Sequence, residues 1–159
     1  DFHVGVAGKY FTVTGPRDSD AATLDAGVFW QVAELVSVGA VGYNLVSIAN
    51  PAVAPMGAGA GIGVGSDRSF EVIFDWRADF DRGGRTTNRW GVGAEALLFD
   101  LLPVRAGWSR DETLGTRWWS VGAGLVTQAG VALDVGYRQS VDDASARTVA
   151  ATLKVFLFQ

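Results

Sequence analysis

Residue types that carry most enzyme chemistry are sparse in this chain. His3 is the only histidine and cysteine is absent. A Ser-His-Asp arrangement would have to run through His3, which opens the first alternating stretch and reads as a partly exposed structural histidine. Without cysteine there is no thiol catalysis, disulfide scaffold or Cys-based zinc site. Asp18-Ser19-Asp20 and Asp142-Asp143 offer the oxygen ligands that Ca²⁺ prefers, but neither has a complete ligand spacing. Both read as solvated loops. Residues 57–65 repeat the letters of a dinucleotide fingerprint, which needs a strand before it and a helix after it. Here the segment is itself strand-like and leads into another strand. No catalytic residue, metal or cofactor follows, and the chain is expected not to be an enzyme.

The informative constellation is a set of charges at alternate positions. The bases Lys9, Arg77, Arg105, Arg138 and Lys154 stand against the acids Asp25, Glu71, Asp75, Asp79, Glu95 and Asp134. Their near balance predicts a mutually satisfied network, because unpaired charge in a narrow space is costly. Arg77, between Asp75 and Asp79, is the expected centre. Such a network either braces the interior or lines a polar pore and sets ion preference.

The elements that must hold these charges are strands. In residues 69–80, Phe70, Val72, Phe74, Trp76, Ala78 and Phe80 alternate with Glu71, Ile73, Asp75, Arg77 and Asp79. Successive side chains of a strand face opposite sides, so one face is apolar and the other nearly all charged. The same alternation recurs over 2–13, 24–32, 36–45, 58–64, 90–98, 102–109, 118–127, 131–139 and 149–158. Residues 15–22, 46–57, 81–88, 110–116 and 140–147 read as the longer, polar or Pro-containing connections. Tight turns separate the remaining pairs. The pattern predicts an all-β chain of about ten antiparallel strands as a single domain over 1–159.

Composition narrows the setting. Glycine (21) and tryptophan (6) are frequent, and mean hydropathy is positive. No run of about 18 apolar residues makes a transmembrane helix. The net charge of −4, without a Lys/Arg block, gives no nucleic-acid footprint. Asp1 leads at once into a strand pattern, so a mature chain or a fragment is expected. Tyr10, Trp30, Trp76, Trp90, Trp108, Trp119 and Tyr137 gather near strand ends, the place of an interfacial aromatic girdle. Alternating long loops and short turns, with apolar and charged faces, predict an up-and-down transmembrane β-barrel in the bacterial outer membrane. Its apolar stripes would meet the lipid bilayer and lipopolysaccharide, and its charged faces a lumen. A soluble sheet with its apolar face in a core is the competing arrangement.

Several short motifs occur in a fixed order: Thr23-Leu24-Asp25-Ala26-Gly27, residues 35–45, Gly91-Val92-Gly93-Ala94-Glu95, Leu102-Pro103-Val104-Arg105-Ala106-Gly107-Trp108 and Leu133-Asp134-Val135-Gly136-Tyr137. In order and spacing they resemble the C-terminal part of FadL-like outer-membrane barrels of the PorV/PorQ-type branch. That resemblance implies a fourteen-stranded barrel with an N-terminal hatch, of which this chain is either a part or a shortened form closing at ten strands. An Asn-Pro-Ala motif marks the start of family members; Asn50-Pro51-Ala52 has its letters in a mid-chain connection, and the role is not carried over. Val155-Phe156-Leu157-Phe158 resembles the aromatic last strand read by the barrel-assembly machinery, from which Gln159 departs. The expected activity is passive passage of a small or hydrophobic molecule. The alternative is a non-conducting anchor that holds a protein partner in secretion or surface assembly.

Overall fold

A computed structural model describes residues 1–13, 19–46, 54–66, 69–80, 84–127 and 131–155. Its ten strands are β1 (Phe2–Val13), β2 (Ser19–Ala33), β3 (Val36–Tyr43), β4 (Gly57–Ser66), β5 (Phe70–Asp79), β6 (Thr87–Leu98), β7 (Leu102–Asp111), β8 (Thr116–Val126), β9 (Val131–Ser140) and β10 (Arg147–Val155). They form one antiparallel up-and-down sheet in which spatial order follows chain order, so β1 and β10 are its outermost strands. No helix occurs among the described residues. The chain divides into two compact units, Asp1–Ile62 with Asp75–Arg89 and Gly63–Phe74 with Trp90–Gln159.

In the first unit β1 and β2 pair without interruption from Phe2↔Trp30 to Val13↔Ser19. Residues 19–22, expected in a loop, therefore belong to β2. The ladder through Tyr10–Val13 needs partners, and Ser19, Asp20, Ala21 and Ala22 supply them; polarity alone does not end a strand. Val4 sits opposite Val28 and Val6 opposite Ala26, while the intervening positions pair Gly5 with Gly27 and Lys9 with Thr23. β2 continues into β3 through a bulge at Gln31/Ala33, where Gln31 Nε2 donates to the Glu34 carbonyl at 3.1 Å. β3 stops at Asn44, whose φ of 51° is a left-handed conformation that asparagine tolerates.

In the second unit the tight turns follow local chemistry. Gly65, at φ 127°, occupies a point where a Cβ would collide with the Phe70 carbonyl. Phe99 and Asp100 both have φ of 56°, and Leu101 N–H donates to the Leu98 carbonyl at 3.1 Å. Positive φ at both central residues is the type I′ arrangement that matches hairpin twist, here without glycine. Between β7 and β8, Asp111 Oδ1 accepts from Thr113 N–H (2.9 Å) and Leu114 N–H (3.2 Å). Gly115 then supplies φ 64°. Strands take the flanks of the polar connections here as well: Asp111 pairs with Thr116, leaving only 112–115 between them. The contrast between long and short connections is thus smaller than the polar stretches predict, because ladder bonds extend into them.

In β8 and β9 the two faces differ in exposure, in the opposite sense to a sheet on an apolar core, whereas β10 is exposed at every position and in β5 Ile73 and Asp75 are exposed while Val72 and Trp76 are half-buried. Along β8, Trp119, Val121, Ala123 and Leu125 are exposed, whereas Trp118, Ser120, Gly122 and Gly124 are half-buried. Along β9, Leu133 and Val135 are exposed, and Ala132 and Asp134 are shielded. The buried apolar side chains among the described residues are small: Ala54, Ala78 and Ala132, besides Pro55 and Pro103. Thr23 (3 %) and Asp79 (4 %) are far less exposed than Val6 (72 %) or Leu153 (66 %). Ala78, which shares the parity of Phe70 and Phe74, is buried where Phe80 N–H donates to the Met56 carbonyl at 2.8 Å.

Candidate functional site

Polar side chains opposite the apolar stripes gather into two clusters, one in each unit, the first half-buried and the second more exposed. In the first, Lys9 Nζ lies 2.5 Å from Asp25 Oδ2. Lys9 pairs directly with Thr23, so the partner two residues along the facing strand is within reach of its long stem. Asp25 Oδ1 also accepts from Asn44 N–H at 2.9 Å. Asn44 Oδ1 accepts from Lys9 Nζ at 3.5 Å, and its Nδ2 donates to the Pro55 carbonyl at 2.8 Å. Thr23 Oγ1 donates to the Val46 carbonyl at 3.0 Å. Both described ends of the β3–β4 connection are thereby tied to the shielded face, and each buried polar group finds a partner.

Next to this clip, the guanidinium of Arg77 lies 4.4 Å from the Tyr43 ring centroid, and its Nε donates to Asp79 Oδ1 at 2.9 Å. Lys9 Nζ lies 5.8 Å from the same ring. Glycine makes the space: a Cβ at Gly59 would stand 3.2 Å from Tyr43 Cε2 and 3.2 Å from the Trp76 carbonyl. At Gly57 it would stand 2.5 Å from the Ala78 carbonyl. The side-chain-free face of β4 is the bed on which Tyr43 and Asp79 lie.

In the second unit Arg105 is the branch point. Its Nε donates to Glu95, and its Nη1 donates to Asp134 Oδ1 at 2.6 Å. Lys154 Nζ approaches Asp134 Oδ2 at 3.9 Å. Gly124 accommodates that carboxylate, since a Cβ there would be 2.5 Å from Asp134 Oδ1. Arg138 lies elsewhere on the same face, its guanidinium 4.2 Å from the Trp118 centroid, within cation–π range. Arg77 thus bonds Asp79 but not Asp75, and Glu71 and Asp75 form no ion pair among the described residues.

At the β9–β10 connection, Arg117 hydrogen-bonds Asp142 through Nε (3.1 Å) and Nη2. That contact holds the Asp142 carboxyl below the ordinary carboxylate range. Asp143 is lowered by the Ser145 hydroxyl and N–H, which donate to its Oδ1 at 2.7 and 2.9 Å. Ser140 Oγ accepts from the N–H groups of both aspartates. These acids cap their own loop. No group of three or more acidic or histidine ligands occurs among the described residues. Residues 14–18, which include Asp18, lie outside them. His3 tilts against Phe29, with centroids 6.0 Å apart, as a packing residue.

The aromatic candidates keep to the exposed parity. Trp108 pairs directly with Trp119, and Trp119 contacts Tyr137 at 5.3 Å between centroids. Trp90 contacts Phe74 at 5.9 Å, and Trp76 Nε1 donates to Asn88 Oδ1 at 3.1 Å. Tyr10, Trp76, Trp90, Trp108, Trp119 and Tyr137 each stand a few residues from the end of their own strand that adjoins 14–18, 80–86, 112–115 or 141–146. Trp30 stands at the other end of β2, opposite Phe2. Asn44, Tyr43, Thr23 and Trp118 belong to the clusters without having been singled out from sequence. Consecutive tryptophans at 118 and 119 do carry a signal, since a strand must send one indole to each face. Phe156 to Gln159 lie outside the described residues. No protein-family model matches this sequence, and no curated protein matches it either.

Proposed function

We propose that the chain is a bacterial outer-membrane β-barrel of the FadL-like kind, with β1 closing on β10 and the shielded polar face lining a lumen for passive passage of a small or hydrophobic molecule. The observation that carries this reading is the exposure of the apolar face. A soluble sheet gains about 1.5–3 kcal/mol for each large apolar side chain that it buries. This chain leaves Val4, Val6, Leu24, Trp30, Phe70, Val121 and Leu153 outside, and shelters Thr23, Asn44 and Asp79 instead. Hydrocarbon around the exposed face removes that penalty. The aromatic residues near the strand ends support the same setting, as do strands of 8 to 15 residues. An even number of strands running up and down gives β1 and β10 opposite directions, as an antiparallel seam requires. The motif order supports the PorV/PorQ-type branch.

A non-conducting anchor that binds a protein partner is the second reading, and the pairing on the polar face favours it. Lys9, Arg77, Arg105 and Lys154 each meet a carboxylate, which leaves little net field to select ions. Planar-bilayer recording separates the two. Stepwise conductance supports passage; silent membranes with correctly inserted protein, together with a co-purifying partner, support the anchor. A chain that stays monodisperse without detergent or lipid defeats both.

A further inference from the structure

We propose that the exposed face of the second unit, at the ends of β7 to β10 next to 112–115 and 141–146, binds the phosphate groups of an anionic membrane glycolipid. This rests on the membrane reading and names the lipid chemistry which that face would select. Trp108 and Trp119 are directly paired there, Gln139 lies opposite Trp119, and Arg147 lies opposite Gln139. One step nearer the loops, on the same face, Arg110 is directly opposite Arg117. All three arginines are exposed.

Like charges directly across a ladder destabilise it, and only half of this pair is neutralised. Arg117 is held by Asp142, whereas among the described residues neither Arg110 nor Arg147 has an ion-pair partner. At the other ends of the same strands the positions that share the parity of the tryptophans are Leu102, Leu125, Val131, Leu133 and Val155, without a charge. Cationic side chains therefore fringe the tryptophan row at one end of the face only. Guanidinium groups match phosphate oxygens bidentately, and an indole row at headgroup depth would set the lipid at their height. A phosphorylated glycolipid meets both demands: its acyl chains cover Val121, Val135 and Leu133, and its phosphates relieve the Arg110–Arg117 repulsion.

The test is lipid retention by the full chain, refolded in neutral detergent with equal amounts of lipid A and a phosphate-free glycolipid, then read by mass spectrometry. Lipid A should be retained preferentially. The double variant Arg110→Gln with Arg147→Gln should lower that preference roughly thirtyfold, about fivefold per arginine, and Arg110→Lys with Arg147→Lys should keep most of it. The Gln variant should also be at least as heat-stable as the parent in lipid-free detergent, because the uncompensated repulsion is gone; a loss of stability there would assign the arginines a structural role and overturn the site. Equal retention of both glycolipids overturns the site and leaves the membrane reading standing. Retention of neither overturns both. Parallel samples with phosphatidylglycerol or inorganic phosphate as competitor must displace less lipid A than unlabelled lipid A does; equal displacement by free phosphate would overturn the glycolipid assignment.

Discussion

Asp25 and Phe74 show what single residues contribute on the two faces. Asp25 accepts from Asn44 N–H and pairs with Lys9, with its side chain only 15 % exposed. Asp25→Asn removes the charge that holds Lys9 and weakens the bond that fixes the end of β3. The expected loss is about 1–3 kcal/mol, read as a lower denaturation midpoint in detergent or bilayers. Phe74 lies mid-strand on the exposed face, against Trp90. Phe74→Arg should cost about 2–4 kcal/mol in reversible folding into bilayers if that position is near the midplane; a negligible change would remove the lipid from this face. The charged residues of the clusters were legible in the sequence because strand alternation fixes the face of each one. Their partners were not. Asp75, Arg77 and Asp79 share a face, yet Arg77 turns to Asp79 and Tyr43, since Tyr43 approaches over Gly59 from a strand remote in sequence. Only the ladder register carries that information.

For the strands and their connections, spacing carried most of the meaning. Period-two alternation located every strand, and β1 has the expected bounds, Phe2–Val13. The errors lie at ends, where polar residues such as Ser19 to Ala22 pair with a partner strand that local composition does not reveal. The glycine face of β4 gives an element-level prediction. Gly59→Val would drive a side chain into Tyr43, Val41 and the Trp76 carbonyl, all within 3.3 Å of even a Cβ. Overpacking of this kind costs about 1–3 kcal/mol. It should also separate Tyr43 from Arg77, seen as a change in tyrosine fluorescence relative to Gly5→Val, where a Cβ meets nothing within 4 Å, with melting temperature as the second readout. The β9–β10 connection predicts a pH response. Because Asp142 and Asp143 are lowered in the folded chain, their stabilisation is complete above the unfolded carboxylate pKa and fades as pH falls through the folded values. Hydrogen exchange of Asp142, Asp143 and Ala146 N–H should therefore quicken in acid beyond its intrinsic pH trend, and Asp142→Asn should reproduce much of that loosening at neutral pH. Equal protection at both pH values would show that the Ser140 cap alone orders the loop.

For the whole molecule, the proposed membrane barrel predicts a property that no single strand has. Closure of β1 on β10 removes both edges, which would otherwise offer unpaired N–H and C=O groups to other chains. A closed barrel resists unfolding in dodecyl sulfate and migrates faster on gels before boiling than after it. Identical migration in both states, with protein correctly refolded, would argue for an open sheet that takes its missing partner from another polypeptide. The all-β, up-and-down sheet was legible because ten repeats of one pattern point the same way. The alternation does not choose between the two proposed functions, because passage and anchoring would use the same pattern and differ in how completely Lys9, Arg77, Arg105 and Lys154 are neutralised.

The sheet order has one more consequence. Every ladder joins strands that are neighbours in sequence, so none of these pairings depends on a distant segment. Insertion or deletion of a hairpin leaves every remaining ladder intact. Strand number can then change during evolution by steps of two without a new fold having to be invented. Clips of the Lys9 or Arg105 kind are the local braces that each added hairpin would have to bring or borrow.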